Sequence, residues 1–266
     1  MSDLQPTRFD GQAADFDRRV GLTDDVCQAA AATVVTLAGA RAGDRVLEIG
    51  AGTGLIGAWF LDQPVRYAGL DVSRGMLEVF RRRLAGASCP LVQADATVAS
   101  WPLADRSVRA VFGSRVIHLL PLATVIGEVR RIGAPGGVSC LLGWVERRPE
   151  SVKARMSREM RRRLHERGFP ARQSGSRRFV EACVAEGAEP LARVEVARWP
   201  AGHSPRQSIE RWRAKEGLGG LVLPPGVQDE VLDELADWGR ATFGDPDQVQ
   251  ETEETYVIEG VRWTTC

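Results

Sequence analysis

The stretch Val46-Leu47-Glu48-Ile49-Gly50-Ala51-Gly52-Thr53-Gly54 reads as an apolar strand running into a glycine-rich turn. Glycines there allow positive φ angles and let a ligand lie directly against the backbone. The next apolar run ends in Asp71, whose carboxylate can accept two hydrogen bonds from vicinal ribose hydroxyls. Gly52-x-Gly54-x-x-Gly57 also satisfies the dinucleotide fingerprint, and Asp71 would serve a nicotinamide nucleotide equally well. Glu48 separates the two readings. A carboxylate directly before the loop sits badly beside a pyrophosphate but suits the ammonium of a methionine-type ligand.

Other residues with chemical potential are scattered. His118 is the best candidate base, four residues past Ser114, although its neighbours Ile117 and Leu119 equally suit a packing role. His165, His203 and Glu146 rank below it. Trp144, Trp199 and Trp212 could wall an acceptor pocket, but large aromatic residues more often belong to a core. The five cysteines are dispersed with no CxxC pair, which predicts reduced thiols and neither a zinc site nor a disulfide framework.

Positioning these groups requires alternating strands and helices. Short apolar runs at 45–49, 66–71, 91–94, 108–113 and 137–145 predict buried strands. A helix is expected over 23–39, with Thr23 as N-cap and Gly39 past its end. Another starts at Ser73, presents Met76, Leu77, Phe80 and Leu84 on one face, and stops at Gly86. The alternation predicts an α/β, Rossmann-like, doubly wound and mostly parallel sheet. Beyond residue 145 we expect helices at 150–167, 177–187, 204–216 and 226–243, a strand at 190–199 and a strand pair near 254–264, with one antiparallel edge strand in the sheet. The expected organisation is a helical lid over 1–40, a core over 41–145, and remaining core strands over 146–266 with helical cap insertions at about 150–168 and 204–243.

The ordered motifs resemble those of class I S-adenosylmethionine-dependent methyltransferases of the small-molecule type. The apolar strand, acidic residue and GxGxG are matched by Glu48, Gly50, Gly52 and Gly54. Asp71 matches the acidic end of the second strand, and Asp95 in Gln93-Ala94-Asp95-Ala96 the acidic residue after the third. Val108–Leu120 and Glu128–Gly137 match the later strands and turns, and Phe9-Asp10-x-x-Ala13-x-x-Phe16-Asp17 the upstream aromatic-Asp repeat. The resemblance covers about residues 8–145. It implies S-adenosylmethionine as cofactor and S-adenosylhomocysteine as product. Glu48 would face the methionine end, with Gly50, Ala51 and Gly52 along the ligand. Asp71 would hold the ribose, Val72 and Met76 would line the adenine, and Asp95 would accept from its amino group near the Ala96 amide. Ser114 and Arg115 would lie near the methionine carboxylate and the acceptor, and Phe16 would belong to the segment folding over the cofactor. No Asn/Asp-Pro-Pro-aromatic run or Pro-Cys motif of the DNA-modifying members is present.

Charge bounds the partner. Thirty-five basic residues balance 35 acidic ones, so no overall field draws the chain to nucleic acid or a membrane surface. The segment Lys153–Arg178 is locally basic, with Glu159 and Glu166 as its only acids. Three readings compete for it: a solvated helix packing a Met/Val/Leu stripe, a phosphate-backbone contact, or recognition of a carboxylate or phosphate on a small acceptor. No apolar secretion segment is seen near Met1 and no run is long enough to span a bilayer, so a cytoplasmic protein is expected. The expected function is methyl transfer to an O or N atom of a small molecule. The alternatives are an RNA methyltransferase using residues 153–178, or a protein that binds the cofactor without transferring its methyl group.

Overall fold

The computed structural model describes residues 21–170 and 175–264, with side chains from 21–170 and 177–264. Seven strands form one sheet in the order β3-β2-β1-β4-β5-β7-β6. They are β1 (Arg45–Ile49), β2 (Arg66–Asp71), β3 (Leu91–Gln93), β4 (Ala110–Ser114), β5 (Val138–Arg147), β6 (Glu189–His203) and β7 (Gln250–Trp263). The first five pair in parallel, so their carboxyl ends share one edge, and the sheet is mixed through an antiparallel edge pair. The doubly wound expectation therefore holds. β1 and β2 are buried on both faces, which is why they read as continuous apolar runs and not as alternation.

The chain divides into two compact units, and it passes between them within β5, β6 and β7. The larger holds Phe9–Trp144, Ser174–Ala197 and Tyr256–Cys266. Within it, α1 (Asp24–Ala38) starts after extended Thr23 and ends at Gly39, whose φ of 58° gives the left-handed stop. Its Val26, Ala30, Ala31 and Val34 are buried. The helix α2 (Arg74–Arg83) is capped by Ser73, whose hydroxyl accepts from the Met76 amide at 3.1 Å. It closes a little earlier than expected: Ala85 takes the left-handed conformation at φ 47°, with Gly86 following at φ 101°. The helices α3 (Leu122–Ile132) and α5 (Gly175–Ala185) also belong to this unit, and its core holds an apolar cluster around Leu47, Ile49, Val111, Val129 and Leu142.

The smaller unit holds Val145–Gln173 and Arg198–Thr255. Its helices are α4 (Val152–Glu166), α6 (Pro205–Arg213) and α7 (Val227–Phe243). The four-residue spacing of Val152, Met156, Met160 and Leu164 places all four in a buried cluster with Ile209, Val231, Leu232 and Leu235. The expected strand pair near 254–264 is instead one strand of 14 residues. A run without an internal turn residue strong enough to reverse the chain simply extends.

Candidate functional site

The glycine loop is stitched to the end of β2. The Ala51 amide donates to the Leu70 carbonyl at 3.0 Å, and the Gly52 amide donates to Asp71 Oδ2 at 2.8 Å. The other oxygen, Oδ1, accepts from the Ser73 amide at 2.8 Å. One carboxylate thus fixes the loop and the entrance to α2 together. Gly50, Gly52 and Gly54 all have positive φ, at 66°, 56° and 76°.

Their surroundings differ. A Cβ on Gly50 would lie 2.6 Å from Val116, and one on Gly54 would lie 2.1 Å from the Phe80 ring. Those two glycines are required by packing as well as by conformation. Among the described residues, a Cβ on Gly52 would meet only the Gly50 carbonyl, at 3.9 Å. The middle of the loop therefore faces open space, which is the cradle a cofactor pressed against the backbone needs.

Glu48 lies under the loop and not in that cradle. It is 2% exposed, and its Oε2 accepts from the Tyr67 hydroxyl at 2.6 Å. The Tyr67 ring is stacked on Phe60 at a centroid distance of 5.2 Å, with Phe80 tilted against it. A Cβ on Gly57 would sit 2.3 Å from the Tyr67 hydroxyl and 2.7 Å from Glu48 Oε2. Gly57, the last glycine of the dinucleotide fingerprint, is thus explained by a buried acid–phenol pair. Burial pushes the Glu48 carboxyl up to about 8, against the opposing Tyr67 hydrogen bond and with Asp71 adding to the rise. A side chain largely neutral near pH 7 does not offer the full charge that the sequence suggested for an ammonium. The reason is burial, with no cation partner among the described residues.

The remaining candidates divide by depth. Val72 is 55% exposed at the carboxyl edge, whereas Met76 is buried at 2% and Ala96 at 7%. Asp95 is exposed, and its Oδ1 accepts from the Thr97 amide at 2.8 Å in a local turn. Ser114 ends β4 opposite Gly143, and its hydroxyl is 2.7 Å from that of fully buried Tyr256. Arg115 follows with φ 57°, a conformation that costs an arginine of order 1–2 kcal/mol. Its amide donates to the Gly143 carbonyl at 2.9 Å. His118 is exposed in a short 3-10 turn, Ile117–Leu119. Phe16 lies outside the described residues. Trp144 and Trp212 pack against the apolar clusters of their own units.

The structure therefore brings Gly50, Ala51, Gly52 and Asp71 into one constellation, with Val116 behind the loop. Tyr67 and Tyr256 were not singled out by the sequence. Nothing local marks them, because their partners lie 19 and 142 positions away.

Residues 46–137 match the methyltransferase domain family. The demethylmenaquinone methyltransferase of Beutenbergia cavernae is 36% identical over 144 residues, 51% of this chain and 57% of that protein. The malonyl-[acyl-carrier protein] O-methyltransferase of Serratia marcescens is 28% identical over 131 residues, 49% of this chain and 48% of that protein. The chain thus spans about half the length of these curated relatives. A solved methyltransferase-type structure from Bacillus halodurans superposes with a TM-score of 0.58 at 17% identity, covering 88% of this chain and 99% of that one. The glycine loop and Asp71 thus lie inside the part of the chain, residues 46–137, that matches the methyltransferase domain family, on a sheet whose order suits that fold.

Proposed function

We propose that the protein transfers the methyl group of S-adenosylmethionine to an O or N atom of a small-molecule acceptor. The carrying observation is the open Gly52 backbone bound to Asp71, at the shared carboxyl edge of the parallel strands. Asp71 would hold the ribose, with Gly50, Ala51 and Gly52 along the ligand. Val72 and Met76 would border the adenine, and Asp95 with the Ala96 amide would meet its edge. Ser114 and Arg115 would stand near the methionine carboxylate. Glu48 supports the loop from beneath through Tyr67, so its contribution is shape.

The bound cofactor supplies an already activated sulfonium methyl. The chain's task is to orient the acceptor in line behind it, and positioning of this kind contributes several kcal/mol or more. A base is required only for a protonated, weakly nucleophilic acceptor. We assign that role to His118, which is exposed at the exit of β4. Two named relatives carry quinone and acyl-carrier acceptors in their names, which favours a small molecule over nucleic acid.

The test is transfer of a labelled methyl from S-adenosylmethionine to a panel of hydroxyl- and amine-bearing metabolites, beside single-stranded RNA. Transfer to a panel member, slowed at least about tenfold by His118→Ala, is the expected result. Transfer only to RNA would instead support the nucleic-acid reading. Cofactor binding with transfer to no acceptor would favour a non-catalytic binder.

A further inference from the structure

The segment that leaves β3 is anchored at both ends, by backbone at one and by side chains at the other. At its start the Ala94 amide donates to the Asp71 carbonyl at 3.0 Å, and Gln93 Nε2 donates to the Val72 carbonyl at 3.3 Å. At its far end it is held by two side chains of α3. Glu128, 5% exposed, accepts from the Trp101 amide at 2.7 Å. Arg131 donates to the Trp101 carbonyl at 2.9 Å, the Leu103 carbonyl at 3.0 Å and Asp105 Oδ1 at 2.5 Å. The two side chains also bond each other, with Arg131 Nη2 2.6 Å from Glu128 Oε2. The Arg131 hydrogen bond, then the backbone donors of Ser100 and Trp101, hold the Glu128 carboxyl below its usual range in spite of burial.

This clamp keeps the chain where it would not rest by itself. Ser100 and Arg106 flank the clamped stretch 101–105 with φ of 68° and 55°, left-handed values that cost any residue with a Cβ. Trp101 is 3% exposed, and among the described residues its indole Nε1 has no hydrogen-bond partner. Strained backbone persists only where the surroundings over-determine it, and it collects at functional positions. A buried donor without an acceptor is likewise costly. Residues 95–100 lie between the two anchors. Ala96 shares an apolar cluster with Trp101 and with Val125, Ile126 and Val129 of α3, while Asp95 and Val98 are exposed.

We propose that Glu128 and Arg131 are positioning residues for adenine recognition: by fixing the backbone at 101–105 they set how Asp95 and the Ala96 amide meet the base. The proposal rests on the methyl-transfer reading and adds to it a determinant of cofactor selectivity on α3. The pair acts through Trp101 and not on the ligand. A backbone shift of about 1 Å is enough to turn an ordinary hydrogen bond into none, so a loosened clamp costs base selectivity first.

The test is calorimetric titration of the whole chain with S-adenosylhomocysteine and with S-inosylhomocysteine, whose base carries an oxygen in place of the adenine amino group. Wild type should bind the adenosyl compound about tenfold or more tightly than the inosyl one. Arg131→Lys keeps the charge without the planar fork, and Glu128→Gln keeps the shape without the charge. Each should cut that preference to about threefold or less. Arg130→Gln, on the same helix and paired with Glu186, should leave it intact. Asp105→Asn alters the exposed end of the clamp, and it supplies the same readout should the other two variants not fold; about a threefold fall is expected. An undiminished preference in every folded clamp variant would overturn the proposal. So would an equal loss of affinity for both compounds, the mark of a generally loosened fold, or equal binding of the two by wild type. Wild type that binds neither compound overturns the methyl-transfer reading and the clamp together. Wild type that binds and discriminates, with variants that match it, sinks the clamp alone.

Discussion

Two buried carboxylates, one in each unit, have opposite fates. Glu48 in the larger unit and Glu254 in the smaller are 2% and 4% exposed, so burial alone does not distinguish them. Glu48 has a neutral phenol as its partner and a second acid, Asp71, nearby, and it is pushed up to about 8. Glu254 suffers the same burial, but Arg147 and Lys153 outweigh it and hold the group below its usual value. The difference lies in the company each acid keeps. It also sets the character of each region. Among the described residues the loop region sets two acids, Glu48 and Asp71, near each other, which suits a positively charged sulfonium ligand. At Glu254, two cations converge on one carboxylate oxygen.

The most severe way to break this contrast is to remove the carboxylate that Arg147 and Lys153 share. Glu254→Ala strands two part-buried cations and should cost about 3–5 kcal/mol in denaturant unfolding. A loss below about 1 kcal/mol would mean that water already screens Arg147 and Lys153. Tyr67→Phe removes the hydrogen bond that Glu48 accepts and should cost about 1–3 kcal/mol. An unchanged stability would show that the pair does not hold the loop floor.

The pH dependence of Glu48 sharpens the comparison at smaller amplitude. Its folded-state value lies above the unfolded one, so the folded protein holds the extra proton and stability declines as pH rises from the ordinary carboxylate range to about 8. Between pH 7 and pH 8, wild type should lose about 1 kcal/mol relative to Glu48→Gln, measured by parallel unfolding curves. A difference that grows in the other direction would mean that Glu48 is ionised in the folded protein. Smallest of all, Arg206→Ala breaks an exposed pair with Asp247 and should leave the denaturation midpoint essentially unchanged. A larger loss would show that ion pairs on this unit's surface are coupled, and that the Glu254 result cannot be assigned to burial.

Much of the fold was legible because local signals agreed. The limits of β1 and β2 follow from apolar runs between turn residues, and the ends of α1 from Thr23 and Gly39. The Met/Val/Leu stripe of α4 correctly forecast a buried seam. Within the candidate site, the glycine loop and Asp71 were legible because their chemistry is written in consecutive residues. The direction of Glu48 was not. It depends on Tyr67, Phe60 and Phe80, which meet only when three separate elements pack. Likewise, the sequence showed Arg162 and Lys153 as equal members of one basic run. Only the pairing with Glu159, Glu166 and Glu254 separates a neutralised face from a charged one.

The central claim is that the open Gly52 backbone and Asp71 form the cofactor site of a methyltransferase. Calorimetric titration with S-adenosylhomocysteine, repeated with NAD and with Asp71→Ala, tests it most directly. The account predicts micromolar binding of the homocysteine compound, at least about a hundredfold weaker in the variant, and no binding of NAD. Binding of NAD alone, or homocysteine binding that is indifferent to Asp71, would contradict it.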